Sequence, residues 1–208
     1  MRFLIPAGPT REPLDPVRFI SNRSTGKMGF ALAQAAAEAG HEVTLIAGPV
    51  SLATPSGVRR VDVETALEML AAVERELPAA EVYISCAAVA DWRPEVCSPT
   101  KLKKQEMCGT LRLVRNPDIL KTVLPRKGER LFVGFAAETG VPDAEAARKL
   151  REKGLDMIVA NDVTAPGAGF AVETNRVTLL FPDGRRKALP LLSKLETARQ
   201  VLAELPLR

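Results

Sequence analysis

The chain has 208 residues, 46% hydrophobic and 26% charged, with a formal net charge of +4. That length suits a single domain over 1–208, and the composition supports a sizeable core and excludes a wholly disordered chain. The mild positive charge does not by itself argue for nucleic acid, but it suits an anionic small-molecule substrate. In chain order, Arg2–Ala7 reads as a first strand and Thr25–Ala39 as a helix capped by Ser24 and ended by Gly40. Strands follow at Glu42–Ala47 and Val58–Val63. Thr65-Ala66-Leu67-Glu68 then forms a capping box for a helix reaching about Leu77. Glu81–Ala87 is a fourth strand and Leu111–Val114 a short one, before a helix from Pro117 to Leu124 with Asn116 as its cap. Leu131–Ala137, a helix over Pro142–Lys153 and a strand at Met157–Ala160 continue the alternation.

That rhythm predicts an α/β, Rossmann-like fold, with a mostly parallel central sheet and helices on both faces. The ending differs. Arg176–Phe181 and Arg186–Leu189 flank Pro182-Asp183-Gly184, a hairpin signal that predicts an antiparallel edge. A second capping box, Ser193-Lys194-Leu195-Glu196, opens a last helix through about Leu205. Two long segments, Gly8–Arg23 and Ala88–Gly109, fit no regular element. They follow sheet strands at the carboxyl edge, where open α/β folds bind ligands.

The single histidine, His41, leaves histidine metal sites and Ser–His triads with almost nothing to work with. Cys86, Cys97 and Cys108 lack CxxC spacing and read as reduced, structural thiols of a cytoplasmic protein. No run approaches the roughly 20 apolar residues of a membrane helix. The opening Met1–Pro6 is too short and too quickly polar for a signal peptide.

Five constellations could carry chemistry. Ile20–Gly29 runs into a helix start whose amides and two glycines could cradle a phosphate, or could be ordinary capping and packing. Cys86–Arg93 passes from small residues, which allow close ligand approach, to the carboxylate Asp91; a solvated loop aspartate is the plainer reading. Lys101-Leu102-Lys103-Lys104 could turn two ammonium groups toward a polyphosphate, or be a solvated basic loop. Asn116-Pro117-Asp118-Ile119-Leu120 is a capped helix start with free amides. Gly134–Thr139 ends a strong strand, where Phe135 could stack on a base or join the core, and Lys149 and Lys153 share one face of the next helix. Together they outline a site for a nucleotide or phosphorylated metabolite without a histidine or thiol catalyst.

Ala7–Arg18, Ile20–Gly29, Ala87–Asp91, Lys101–Lys104, Asn116–Asp118, Gly134–Glu138 and Ala160–Asp162 occur in the order seen in bacterial phosphopantothenate–cysteine ligases, which this sequence resembles from about Leu4 to about Leu205. The family forms the ligase half of many bifunctional decarboxylase/ligase proteins. This chain has no room for the flavin-dependent half as well, so FMN is not expected. The resemblance implies condensation of 4'-phosphopantothenate with L-cysteine in coenzyme A biosynthesis. The bacterial type uses CTP with Mg²⁺ and passes through an acyl-cytidylate, releasing pyrophosphate and then CMP.

By similarity, Asn22 and Lys101 are the catalytic pair, and Arg18, Ala87 and Ala88 join them at the substrate. Asp91, Lys101, Pro117, Asp118, Ile119, Leu120, Phe135, Lys149 and Lys153 contact the nucleotide. Family members are homodimers, and the Lys101 loop resembles their flap. Thr25 stands where a second serine is common. No carboxylate cage for Mg²⁺ is visible, so phosphate oxygens and water are its expected ligands.

Two other classes compete. A nicotinamide-dependent oxidoreductase on the same fold predicts GxGxxG after the first strand and, for the short-chain type, a YxxxK pair. The chain has Ala7-Gly8-Pro9-Thr10 there, and its only tyrosine, Tyr83, is followed four residues later by Ala87. A non-catalytic nucleotide-sensing or nucleic-acid-binding module is permitted by the pI near 9.1, but its stacking platform is not visible.

Overall fold

The computed structural model describes residues 1–106, 109–138, 143–162, 164, 167–169 and 171–207, giving only the backbone for 106, 138, 143, 144 and 162. The elements are β1 (Arg2–Ala7), β2 (Arg11–Pro13), β3 (Phe19–Ser21), α1 (Lys27–Glu38), β4 (Glu42–Ala47), β5 (Val58–Asp62), α2 (Ala66–Glu76), β6 (Val82–Ser85), β7 (Trp92–Pro94) and β8 (Leu113–Arg115). They continue with α3 (Ile119–Val123), β9 (Leu131–Glu138), α4 (Asp143–Glu152), β10 (Met157–Asp162), β11 (Thr174–Asn175), β12 (Val177–Leu180), β13 (Arg186–Ala188), β14 (Leu192–Ser193) and α5 (Lys194–Ala203).

Eight strands form one sheet in the order β13-β12-β10-β9-β6-β1-β4-β5. The six from β5 to β10 are parallel, while β12 and β13 run antiparallel at one edge. The expected Rossmann-like α/β class and its hairpin edge are therefore present. The hairpin turns at Gly184, whose φ of 86° suits a residue without Cβ, and Asp183 accepts from the Arg185 amide at 2.9 Å.

Strand alternation divides the core. Phe3, Ile5, Val43, Leu45, Val82, Ile84, Val133 and Val159 face α1 and α5, whereas Leu4, Ile46, Tyr83, Phe132, Ile158 and Leu180 face α2, α3 and α4. Both faces of the sheet are buried, so these strands read as nearly continuous apolar runs. Gly29 lets α1 lie close against β1: a Cβ there would stand 2.4 Å from the Ala7 Cβ.

The two irregular segments are partly ordered into ribbons. β2 pairs with β3 inside the first loop, and β7 pairs with β8 across the second. Two expected caps move. α1 begins after Gly26, at φ 77° with no side-chain cap, while the Ser24 hydroxyl accepts from the Gly26 amide at 3.3 Å. α3 is capped by Asp118, which accepts from the Lys121 amide at 3.0 Å. Asn116 instead donates to the Ala90 carbonyl at 2.8 Å and accepts from Arg93 at 3.0 Å. The caps at Thr65 and Ser193 form as expected, accepting from Glu68 and Glu196. Pro142, expected to open α4, and Cys108 lie outside the described residues.

Candidate active site

The parallel strands bring their carboxyl ends to one edge, and three ends meet there. After β1 the chain turns at Gly8, with φ 84°, and the Gly8 carbonyl accepts from the Ala88 amide at 2.9 Å. A Cβ on Gly48 would stand 1.8 Å from the Pro9 carbonyl oxygen, so β4 too must end in glycine beside this turn. The small residues Ala87 and Ala88 thus lie open between the turn after β1 and the end of β9.

A cleft fills that space. It is lined by Ser24–Gly29 at the start of α1, by Cys86–Ala88 and Phe135–Ala137 at strand ends, and by Asn161, Gly169, Asn175 and Lys194 opposite. The centre of a water molecule could move through about 150 Å³ of it. The uncapped α1 start leaves amides facing an anion, where the helix dipole favours one. The Asn161 side-chain oxygen is buried at this wall without a hydrogen-bond partner among the described residues, an acceptor for a ligand's donor.

Asn22 stands at the rim. Its amide donates to the Ala88 carbonyl, and its oxygen accepts from the Ser24 amide at 3.0 Å. Thr10 supports the same junction, accepting from the Ala90 amide at 3.0 Å. Asn22, Ala87 and Ala88 are therefore together.

Beyond the rim, on the α3/α4 face, Asp91 is exposed and its carbonyl accepts from the Asn116 amide at 2.8 Å. Asp118 meets Lys153 at 2.8 Å. Partial burial pushes the Asp118 carboxyl up, but Lys153 and the Lys121 amide outweigh it and hold the group below its usual range. Lys149 pairs with Glu145 at 3.7 Å. Ile119 and Leu120 are 5% and 8% exposed and belong to the core, so only their backbone is available to a ligand. Phe135 lines the cleft and packs against the α1/α5 core.

Lys101 lies in neither place. It sits with Arg18 and Lys103 along a separate shallow depression. The loop is fastened through Asp15, which is only 2% exposed. Arg18 meets Asp15 at 2.6 Å and donates to the Leu102 carbonyl at 2.9 Å, while the Leu102 amide donates to Asp15 at 3.2 Å. The Ser98 amide adds a bond to the Leu14 carbonyl at 2.8 Å. Despite burial, the Arg18 guanidinium and three backbone amides hold the Asp15 carboxyl far below the usual range. Arg18 thus anchors the lysine loop. The structure does not bring Lys101 into contact with Asn22.

Local sequence signals did not single out Lys194, Asn175 or Asn161 as part of the cleft. Lys194 is 6% exposed and donates to the Gly169 and Thr174 carbonyls and to the Asn175 side-chain oxygen, at 3.0, 3.1 and 3.0 Å. Burial pushes its ammonium below its ordinary value, and Lys27 adds to that while Glu173 opposes it. Lys27, at the first turn of α1, pairs with Glu173 on the same wall. Burial also pushes the Cys86 thiol up to about 12. His41 lies at the opposite, amino end of the sheet, 3.3 Å from the terminal amine. No three His, Cys, Asp or Glu side chains converge on a metal position among the described residues.

These features define a Rossmann-like α/β domain with an anion-receptive cleft at the carboxyl edge of its sheet. The chain belongs to the DNA/pantothenate metabolism flavoprotein C-terminal domain family, whose model matches residues 1–206. It is 49% identical over 203 residues to the coenzyme A biosynthesis bifunctional protein CoaBC of Bacillus subtilis, covering 97% of this chain and 50% of that protein. With the CoaBC of Escherichia coli K12 it shares 50% identity over 212 residues, 100% of this chain and 52% of the relative. The chain therefore spans about half the length of these relatives. The crystal structure of the C-terminal domain of a CoaBC protein superposes with a TM-score of 0.83 at 44% identity, covering 98% of this chain and 92% of that one.

Proposed function

We propose that this chain is a phosphopantothenate–cysteine ligase of coenzyme A biosynthesis, acting in the cytoplasm with CTP. The observation that carries the reading is the bond from Asn22 to the Ala88 carbonyl. It sets the first-loop asparagine at the seam between the cleft on the α1/α5 face and the Asp91–Asp118–Lys153 group on the α3/α4 face. A substrate in the cleft and a nucleotide on the other face would meet there. Family membership, and relatives whose names place them in coenzyme A biosynthesis, support the same reading.

A carboxylate is a poor electrophile, so the reaction begins by giving it a leaving group. The 4'-phosphopantothenate carboxylate attacks the α-phosphorus of CTP, pyrophosphate departs, and an acyl-cytidylate forms. The L-cysteine amine then attacks the acyl carbon, and CMP leaves with an oxygen that came from the carboxylate. Phosphoryl transfer of this kind depends on positioning and charge stabilisation.

Lys101, delivered on the loop that Arg18 and Asp15 hold, neutralises the phosphates and carboxylate as they approach. Asn22 holds the acyl-cytidylate and stabilises charge during the cysteine attack. Ala87 and Ala88 leave room for the pantothenate body, whose amide N–H groups match the Asn161 acceptor. On the nucleotide side, Asp91, Lys149, Lys153 and the backbone of Pro117, Asp118, Ile119 and Leu120 hold CTP, and Phe135 contacts it from the cleft wall. Mg²⁺ would enter with the nucleotide substrate, held by phosphate oxygens and water.

The active form is a homodimer. Val17 and Phe19 of the first loop and Trp92, Leu111 and Leu113 of the second leave apolar surface exposed beside the lysine loop, a surface a second copy could cover.

Pyrophosphate release is measured with 4'-phosphopantothenate and Mg²⁺, using CTP, ATP, GTP or UTP, each with and without L-cysteine. Cysteine-dependent turnover with CTP is the expected result. Turnover with ATP alone would overturn the nucleotide assignment, and no release from any nucleotide by the folded chain would overturn the ligase.

A further inference from the structure

Lys194 enters the cleft from the first turn of α5, more than 160 residues away in sequence from the Asn22 loop. Its burial is nearly complete, yet its three contacts are all neutral oxygens: the carbonyls of Gly169 and Thr174 and the side-chain oxygen of Asn175. Three acceptors within 3.1 Å use three N–H donors, which an ammonium has and a neutral amine lacks. A buried charge is costly unless something of opposite sign compensates it.

The surroundings contain little such compensation. Among the described residues, the titratable groups that face Lys194 are Glu173, Lys27 and Cys86. Glu173 is committed to Lys27, and its side chain is 80% exposed. The Cys86 thiol stays neutral because burial holds its ionisation near 12. Asn175, itself only 3% exposed, offers an amide where a carboxylate of the same shape would fit. The cleft wall therefore carries a positive charge whose direct contacts are neutral oxygens, with Glu173 of the same arm turned to Lys27.

The position of that wall matters as much as its charge. The cleft runs onto the α1/α5 face, whereas the proposed nucleotide contacts other than Phe135 lie on the α3/α4 face, with Asn22 and Ala88 at the seam. A ligand whose carboxylate reacts at the seam extends its other end away from the nucleotide, along the wall that Lys194 occupies. Resting on the ligase reading, we infer that Lys194 is the specificity-determining cation of the cleft, selecting a ligand that ends in a phosphomonoester dianion over the same ligand ending in a hydroxyl. A phosphomonoester carries close to two negative charges at neutral pH. In a site shielded from water, its attraction to a fixed ammonium is stronger than at an exposed surface.

The test measures binding of 4'-phosphopantothenate and of pantothenate by calorimetry, without nucleotide, to the wild type, Lys194→Met, Lys194→Arg and Asn175→Asp. Lys194→Met should weaken the phosphorylated ligand on the order of 10- to 100-fold and leave pantothenate within about 3-fold. Asn175→Asp keeps Lys194 and the cleft's shape but neutralises the charge, so it should erode the same preference. Lys194→Arg should retain most of it. Should Lys194→Met fail to fold, the Asn175→Asp comparison decides alone. Equal loss of both ligands, or an unchanged preference in Asn175→Asp, would overturn the inference, as would a wild type indifferent to the phosphate. A wild type that prefers the phosphorylated ligand but releases no pyrophosphate from any nucleotide would remove the ligase reading and leave the charge comparison standing.

Discussion

Lys194 and Lys101 both present an ammonium near the carboxyl edge of the sheet, but they are held in opposite ways. Lys194 is buried and saturated by three oxygens on the wall of the cleft. Lys101 is exposed on a loop tied to the body through the Asp15–Arg18–Leu102 bonds and the Ser98–Leu14 bond. A buried cation acts on a resting ligand and has no freedom to follow a changing one. An exposed cation on a tethered loop can approach as charge develops and can help shield a reactive acyl-phosphate from water. The proposed chemistry needs both, because one end of the substrate stays put while the other changes charge.

The sharpest way to break this contrast is Lys101→Gln. It removes the ammonium from the point where two anions meet, and single-turnover pyrophosphate release should fall about 1,000-fold. Its melting temperature should stay at the wild-type value, because Lys101 is exposed and forms no ion pair among the described residues. Normal release in that variant would put Lys101 outside the chemistry.

Asn22→Asp comes next. It keeps the acceptor for the Ser24 amide but loses the donor to Ala88 and adds a negative charge beside the acyl-phosphate. Cysteine-dependent product formation should fall by on the order of 100-fold while pyrophosphate release falls by less than about 10-fold. Equal loss of both half-reactions would deny Asn22 its separate role.

Asp15→Asn probes the tether. Without the carboxylate, Arg18 no longer has an ionic partner at 2.6 Å, and kcat/KM for CTP should drop by about 10-fold. Because Arg18 holds the Asp15 carboxyl far below its ordinary value, its contribution to stability is present above that ordinary value. It is lost only as pH falls toward the folded value in strong acid. The tether should therefore persist across the working pH range, and a wild-type rate that fell away below neutrality in parallel with Asp15→Asn would contradict it.

The smallest effect concerns thiols. Cys97 is exposed, whereas Cys86 is held protonated by burial, so alkylation at pH 8 followed by peptide mass analysis should mark Cys97 and spare Cys86. The unfolded thiol ionises near its ordinary 9.0 while the folded one resists to about 12, so stability should decline as pH rises through that window.

Much of the frame was legible from local pattern. Apolar runs such as Leu131–Ala137 and the Pro182-Asp183-Gly184 turn specify strands and a hairpin without reference to the rest of the chain. The caps at Ser24 and Asn116 were misplaced because several cap-competent residues stand side by side, and long-range bonds decide between them. Asn116 is drawn to Ala90 and Arg93, leaving the cap to Asp118. Lys194 reads locally as the second residue of a capping box. Its burial follows from α5 packing against α1 and from the Gly169–Asn175 arm, neither of which leaves a local signal. The family resemblance identified Ala87 and Ala88, which the structure joins to Asn22. It could not indicate that Ile119 and Leu120 turn into the core.

The central claim is that the substrate carboxylate attacks the α-phosphorus of CTP. It is tested most directly by running the reaction with 4'-phosphopantothenate labelled with ¹⁸O in its carboxylate and weighing the products. One labelled oxygen in CMP and none in pyrophosphate is the expected result. Label in inorganic phosphate with release of CDP, or CMP free of label, would contradict it.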